Sequence, residues 1–509
     1  MKKLALTLAA TVVILATNAW AETALDPMFS DHMVLQREMP VPVWGTADPG
    51  EKVTVSFRDQ KKETTADKDG NWSVKLDPLK VGQPGKLTAA GKTTETCDDV
   101  LVGEVWVGSG QSNMGGSVGK YSGGDEVLAK MAKDGPYPNV RLYKGEWKIA
   151  TPDESAGFSA IMFSFAVPLQ EELDVPVGLI VGAVSGTAAG RWLSPEMVLD
   201  DPILSSAAAS NEHGKALLEE LKAYPKTIAE WEKAVKQAEA DGKPAPDKPI
   251  PPGHVGDLYA RFIEPAVPYA IRGVVWDQGE HGIGVRGVAS QYPVMHALTE
   301  GWRKTWGQGD FPFLCVQKPS GGGCAWDAEG NPLTRKASKF VPQPTEPNNP
   351  GNGGWRCGHV RLIDLPKSAL VITSDLGGGI HPPDKSAYGQ RTSDIALSYV
   401  YGGDTPIYGP RYESHAVEGN KIRVRFKHVG GGLVTRHSDK LQGFEIAGKD
   451  HPWHWAEAKI DGDTVVVSSD KVPNPVHVRY KSHNSCSWAN LFNKDKWPAF
   501  AFNTRWMDK

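Results

Sequence analysis

The sequence predicts an α/β protein: a doubly wound parallel sheet with helices on both faces, preceded and followed by β-sandwich-like domains. Three observations carry this expectation. Between residues 101 and 404, short apolar runs alternate with stretches of helical spacing, the strand–helix–strand order that a parallel sheet requires. In 22–100 and again in 405–509, apolar residues alternate with polar ones at a period of two, the pattern of half-buried strands. After the first 21 residues, no apolar run reaches the roughly twenty residues that span a bilayer.

Taken in order, the chain opens on Lys2 and Lys3, an apolar run over 4–16, and Ala19-Trp20-Ala21. A basic start, a short apolar stretch and a small-x-small end form an export signal, so 1–21 is expected to be removed and the mature chain to begin at Glu22, secreted or periplasmic. In the N-terminal β domain (22–100), Val53, Val55 and Phe57 alternate with polar residues, as do Trp72, Val74 and Leu76. Asp48-Pro49-Gly50 and Asp69-Gly70-Asn71 supply turns. Asp67 and Asp69 have the opening spacing of a calcium loop, but its glycine and distal glutamate are out of register, so a hairpin tip is expected there.

Core strands are expected at 102–107, 177–184, 271–276, 311–316 and 370–373, with helices at 159–173, 291–306 and 386–401. Insertions at about 205–255 and 319–358 interrupt this domain of 101–404. The first contains a helix over 226–240, with Ile228, Trp231, Val235 and Ala238 as its stripe, and then a proline-rich tether. The second is rich in Gly, Pro and Asn, and its place after a core strand makes it a candidate wall of a cleft. The C-terminal β domain (405–509) has alternation at Ile422, Val424 and Phe426 and a hairpin turning at Asp461-Gly462.

Composition narrows the function classes. A net charge of -4, with no block of like charge, argues against nucleic acid or anionic membrane as partner. Seventeen tryptophans fit sugar-stacking surfaces and large β cores alike. Among five cysteines, Cys324 and Cys357 flank the second insertion and are the expected disulfide, while Cys315 lies in an apolar run as a buried thiol. No Cys or His cluster has zinc spacing.

Chemistry is expected where strands end. The run 102–107 leads through Gly108-Ser109-Gly110 into Gln111-Ser112-Asn113-Met114. A serine just past a buried strand faces the crevice at the carboxyl edge of an α/β sheet. Met114 breaks the G-x-S-x-G elbow pattern, and the turn alone serves equally as a helix start capped by Ser112. A nucleophilic serine needs a base. His381 follows the last core strand, so it reaches the same edge of the sheet. Ser185-Gly186-Thr187 and Gln278-Gly279-Glu280 also follow strands and offer a backbone N–H and a side-chain amide to an oxyanion.

Four of these turns, Gly110-Gln111-Ser112-Asn113-Met114, Ser185-Gly186-Thr187, Trp276-Asp277-Gln278-Gly279-Glu280 and Ile380-His381-Pro382, resemble in type and order the sialate O-acetylesterase-like branch of the SGNH hydrolases. Phe29 to Arg37 with Pro40 to Gly45 resembles its N-terminal domain, and Gly443 to Gly448, Val478-Arg479-Tyr480 and Asn490 to Asn493 its C-terminal one. The resemblance implies an SGNH-type core and a serine esterase that removes O-acetyl groups from sialic acid or acetylated polysaccharide. It implies Ser112 as nucleophile and His381 as base, with no metal or other cofactor required. Gly186 and Gln278 would hold the oxyanion, with Gln111 and Glu280 as further binding groups. The sequence departs from the family pattern where an Asn usually stands two residues after Glu280, and where an Asp usually precedes the histidine; here those positions hold Gly282, and Gly378 and Gly379. Asp375 upstream and Asp384 downstream are the remaining acids to orient His381, or the site is a Ser–His dyad. A glycan-binding protein with weakened or lost chemistry is the alternative. A glycosidase using Glu280 lacks an evident second carboxylate.

Overall fold

The computed structural model describes residues 22–279, 291–318, 320–334, 337–347 and 353–507. Its central element is one strand, β1 (Thr94–Gly110), longer than the apolar run that predicts it. Its first half pairs antiparallel with Gly85–Ala90 and then parallel with Val34–Gln36. Its second half enters the core. The boundary expected at residue 100 therefore lies inside a continuous strand, because backbone pairing carries on where the side-chain pattern changes from half-buried to fully buried.

The core strands after it are β2 (Tyr137–Tyr143), β3 (Trp147–Ala150), β4 (Val177–Ala183), β5 (Gly273–Asp277), β6 (Phe313–Val316) and β7 (Ser368–Val371). Their order across the sheet is β3-β2-β4-β1-β5-β6-β7. All pair in parallel except β3, which is antiparallel to β2. The sequence pattern did not anticipate β2 and β3. They lie at one edge, and only the middle of β2, Val140 to Leu142, is buried, so they lack the continuous apolar run of the inner strands.

The helices that concern the site are α1 (Ser112–Gly115), α2 (Ala160–Leu173), α3 (Glu212–Ala240), α4 (Gln291–Trp306) and α5 (Lys385–Tyr399). Period-two alternation along β1 separates the two faces. Trp106 packs on Phe165 of α2, and a side chain at Gly108 would strike Met162 of the same helix. Trp276, opposite Ser109 in register and so on the other face, packs against Trp302 of α4. Gly389 of α5 sits so close to Ser164 of α2 that a Cβ would lie 2.4 Å from the Ser164 Cβ. Small residues there let α2 and α5 share one face.

Where the N-terminal strands join the core, Glu104 is fully buried. It accepts from Arg37 Nε at 2.5 Å, Arg272 Nε at 2.6 Å and Gln36 Nε2 at 3.1 Å. Removing one partner of such a cluster strands the remaining buried charge. Glu104→Ala is expected to cost about 3–5 kcal/mol in urea unfolding; a loss under about 1 kcal/mol would mean the cluster is solvated.

The first insertion forms α3, which begins well before residue 226 and runs through Pro225. Its stripe faces the tether, which folds back along it: Trp231 Nε1 donates to Pro246 O at 2.9 Å and the Tyr224 hydroxyl to Pro249 O at 2.8 Å. The C-terminal region holds two four-stranded sheets and a two-stranded pair around a core of its own. It includes the expected hairpin, with Asp461 opposite Thr464. The described part of the second insertion packs on these sheets: Gly443 N donates to Gln343 Oε1 at 2.8 Å, and His437 Nε2 lies 2.7 Å from Ala325 O. Its start approaches the crevice, at Gly321 against Gly377.

The expected Cys324–Cys357 disulfide is not formed; all five cysteines are free thiols. Cys324 is turned to Ala489 O in the C-terminal region, a direction the spacing of two cysteines does not reveal. Burial pushes the Cys324 thiol up to about 11 and Cys357 up to about 12, which makes both poor nucleophiles. Among the described residues, no helix is long and apolar enough to cross a membrane.

Candidate active site

In sheet register, Gly110 at the end of β1 lies between Ala183 of β4 and Asp277 of β5. The chain leaves β1 for strands on both of its sides, β4 and β5 both following it in sequence, and this makes the switch point where α/β sheets open a crevice. Gly110 has φ +134°, and a Cβ there would sit 2.1 Å from Asp277 O. Only glycine fits, and this lets Gln111 N donate to Asp277 O at 3.0 Å and Val184 N to Gly110 O at 3.2 Å. Three turns are thereby tied at one point.

Ser112 is the first residue of α1, and Gln111, not Ser112, holds the capping position. The serine side chain is therefore available for another use. His381 Nε2 lies 2.9 Å from Ser112 Oγ, joining turns 269 residues apart. His381 and Gly186 are exposed and Ser112 is half-buried, so the pair opens to solvent. Asn113 is fully buried beneath it. Its Nδ2 donates to Ile380 O at 3.0 Å, and its Oδ1 accepts from Lys385 Nζ at 2.6 Å.

Among the other expected residues, Gly186 has φ +71° at the tip of its turn, with open space around it. Gln278 is fully buried, and its amide nitrogen donates to Thr187 O at 3.2 Å, which braces the Gly186 turn. The Gln111 side chain is buried as well. Glu280 lies outside the described residues, as do His281 and Gly282. Asp384 is buried at the start of α5.

Asp375 requires a correction. Its Oδ1 accepts from Arg391 Nη1 at 2.7 Å and its Oδ2 from Arg391 Nη2 at 3.1 Å. A bidentate pair takes up both oxygens, and the carboxylate ties the root of the histidine loop to α5 instead of meeting His381. Sequence distance from the histidine could not reveal this. Asp375→Asn is expected to keep turnover within about threefold while lowering unfolding free energy by about 3 kcal/mol. A loss of turnover on the order of 10⁴-fold would restore Asp375 as the orienting acid.

Besides Lys385, two buried lysines escape sequence reasoning. Lys318, at the end of β6, pairs with Asp277 at 2.8 Å, both fully buried under the crevice floor. Lys481 reaches in from the C-terminal region, donating to Ser374 Oγ at 2.9 Å and Ala499 O at 3.3 Å. Burial pushes the Lys481 ammonium down to about 8, against the upward pull of the Asp375 carboxylate. The unfolded chain holds this proton up to about 10.4. Between those values unfolding takes up a proton, so stability rises with pH; below about 8 the folded protein bears the full cost of the buried charge. The unfolding free energy of the wild type relative to Lys481→Met is expected to climb by about 3 kcal/mol across this window, measured by urea titration. A flat difference would show a solvated ammonium.

The family model for carbohydrate esterases described as sialic acid-specific acetylesterase matches residues 102–224, which hold Ser112 and Gly186. Human sialate O-acetylesterase is 26% identical over 487 residues, covering 85% of this chain and 81% of that protein. The rat sialate O-acetylesterase is 27% identical over 489 residues, covering 85% and 83%. A carbohydrate acetylesterase from Xanthomonas citri superposes with a TM-score of 0.71 at 27% identity, covering 94% of this chain and 99% of that one. Residues 102–224 carry the match to that carbohydrate esterase family, and the chain is similar over most of its length to sialate O-acetylesterases and to a carbohydrate acetylesterase. These similarities make it a carboxylic ester hydrolase. The esterase's mixed α/β core is the fold of that structural relative, and its histidine turn lies outside the segment that the family model matches.

Proposed function

We propose that this protein is an exported carbohydrate O-acetylesterase in which Ser112 is the nucleophile and His381 its base. The observation that carries the reading is the 2.9 Å contact between Ser112 Oγ and His381 Nε2. A serine hydroxyl is a poor nucleophile until a base within hydrogen-bond reach takes its proton. Ser112 Oγ attacks the acetyl carbonyl carbon and its proton passes to His381 Nε2. The oxyanion is held by the backbone N–H groups of Ser112 and Gly186, with the buried Gln278 amide bracing the Gly186 turn. Collapse breaks the ester bond, and His381 returns the proton to the sugar hydroxyl that leaves. Water then attacks the acetyl-serine with His381 again as base, releasing acetate and restoring Ser112.

The substrate class rests on the family and on the names of its relatives, sialate O-acetylesterase and carbohydrate acetylesterase. The exposure of His381 and Gly186 fits a bulky sugar whose acetyl group projects toward the serine. Export rests on the signal pattern of 1–21. The test is acetate release by purified protein from O-acetylated sialic acid, acetylated xylan and a chromogenic acetate. Release from at least one, with fluorophosphonate labelling of Ser112 that Ser112→Ala abolishes, is expected. No release from any of them, with no label, favours a glycan-binding protein that has lost the chemistry.

A further inference from the structure

We infer that Asn113 is a positioning residue which, together with Lys385, latches the histidine loop to the nucleophile turn; the inference rests on Ser112 and His381 being the reacting pair. The loop needs such a latch. Between β7 and α5 it passes through Gly377-Gly378-Gly379, with φ +96° at Gly377 and +86° at Gly379. Residues 378–381 are exposed. Glycines widen the conformations open to a chain, so a histidine placed two residues after them is poorly held by its own backbone.

Both roots of the loop are anchored. Asp375 is clamped by Arg391, and Ser374 by Lys481. At the other end Ser386 donates through N and Oγ to Asp125, at 2.8 and 2.7 Å. These bonds fix where the loop starts and stops, and the Asn113 amide acts beside the histidine itself. Its Nδ2 grips the carbonyl of Ile380, the residue before His381, at 3.0 Å. Its Oδ1 is held at 2.6 Å by Lys385 Nζ, the first residue of α5.

Lys385 is fully buried, and its ammonium lies 4.7 Å from the Tyr121 ring centre and 5.2 Å from that of Tyr388. A charged donor on Oδ1 fixes which end of the amide faces Ile380 and polarises the opposite N–H, strengthening its bond to the carbonyl. Because Asn113 directly follows Ser112, the latch sets the distance from Oγ to Nε2 through few rotatable bonds. A misplacement of about 1 Å in such a pair costs about 10²-fold in rate.

Asn113→Asp separates alignment from folding. Aspartate keeps an acceptor for Lys385, but it has no donor for Ile380 O and repels that carbonyl. Asn113→Asp and Asn113→Ala are both expected to lower kcat by about 10²-fold with KM changed less than about twofold. The rate of fluorophosphonate labelling at Ser112 should fall in the same proportion, while Asn113→Asp melts near the wild-type temperature. A folded Asn113→Asp that keeps kcat and labelling within about threefold of wild type overturns the latch and leaves the esterase reading intact. Wild-type protein that takes no label at Ser112 overturns both.

Discussion

Replacing Ser112 with alanine is expected to lower kcat for acetyl-ester hydrolysis by on the order of 10⁵-fold. The substitution removes one oxygen from a half-buried position and disturbs little else. Ser112 does not cap α1, and its side-chain contact runs to the exposed His381. The melting temperature should therefore stay near that of wild type. Residual catalysis over water, about 10³-fold, would come from substrate binding and the backbone N–H groups that remain. Steady-state kinetics on a chromogenic acetate, with mass spectrometry of the labelled protein, measures both effects. A variant that keeps a tenth or more of wild-type turnover, or still takes the label, places the nucleophile elsewhere.

Replacing His381 with alanine is expected to lower kcat by a similar factor, on the order of 10⁵-fold. Without the imidazole, Ser112 Oγ attacks with its proton still on, and nothing returns a proton to the departing sugar oxygen. Because the two residues act as one unit, Ser112→Ala/His381→Ala should fall no lower than either single variant. Additive losses would show that they act independently and that the 2.9 Å contact is incidental. The pH profile gives a second readout. The imidazole must be neutral to accept the Ser112 proton, so kcat/KM of the wild type should fall toward acid, and this limb should disappear in His381→Ala.

The legible parts of the molecule share a physical cause. A strand buried on both faces has to be apolar along its length, so β1, β4, β5, β6 and β7 stand out as runs, and their ends mark the sheet edge. The turns beyond those ends carry Ser112, Gly186, Gln278 and His381, and they were therefore visible too. The edge strands β2 and β3 were not, since a strand only partly buried can hold polar residues among its apolar ones. Charge partners were equally hidden. Asp375 was placed with His381 by its nearness in sequence, but Arg391, one helix further on, takes both its oxygens. Cys324 and Cys357 were paired as flanks of an insertion, and the described part of the insertion instead lies against the C-terminal sheets with Cys324 facing Ala489.

The residues from Val102 to Gly116 show the same division on a small scale. The sequence by itself determined that a buried strand ends in a small-residue turn carrying a serine, because strand burial and glycine geometry are local properties written in residue type. Whether that serine capped a helix or met a histidine was left open. Tertiary structure alone decided it, by bringing His381 to 2.9 Å from a position 269 residues away and by setting Asn113 between the loop carbonyl and a buried lysine. Such contacts depend on how β1, β7 and α5 pack around one sheet edge, and no local pattern encodes the distance between side chains that only folding brings together.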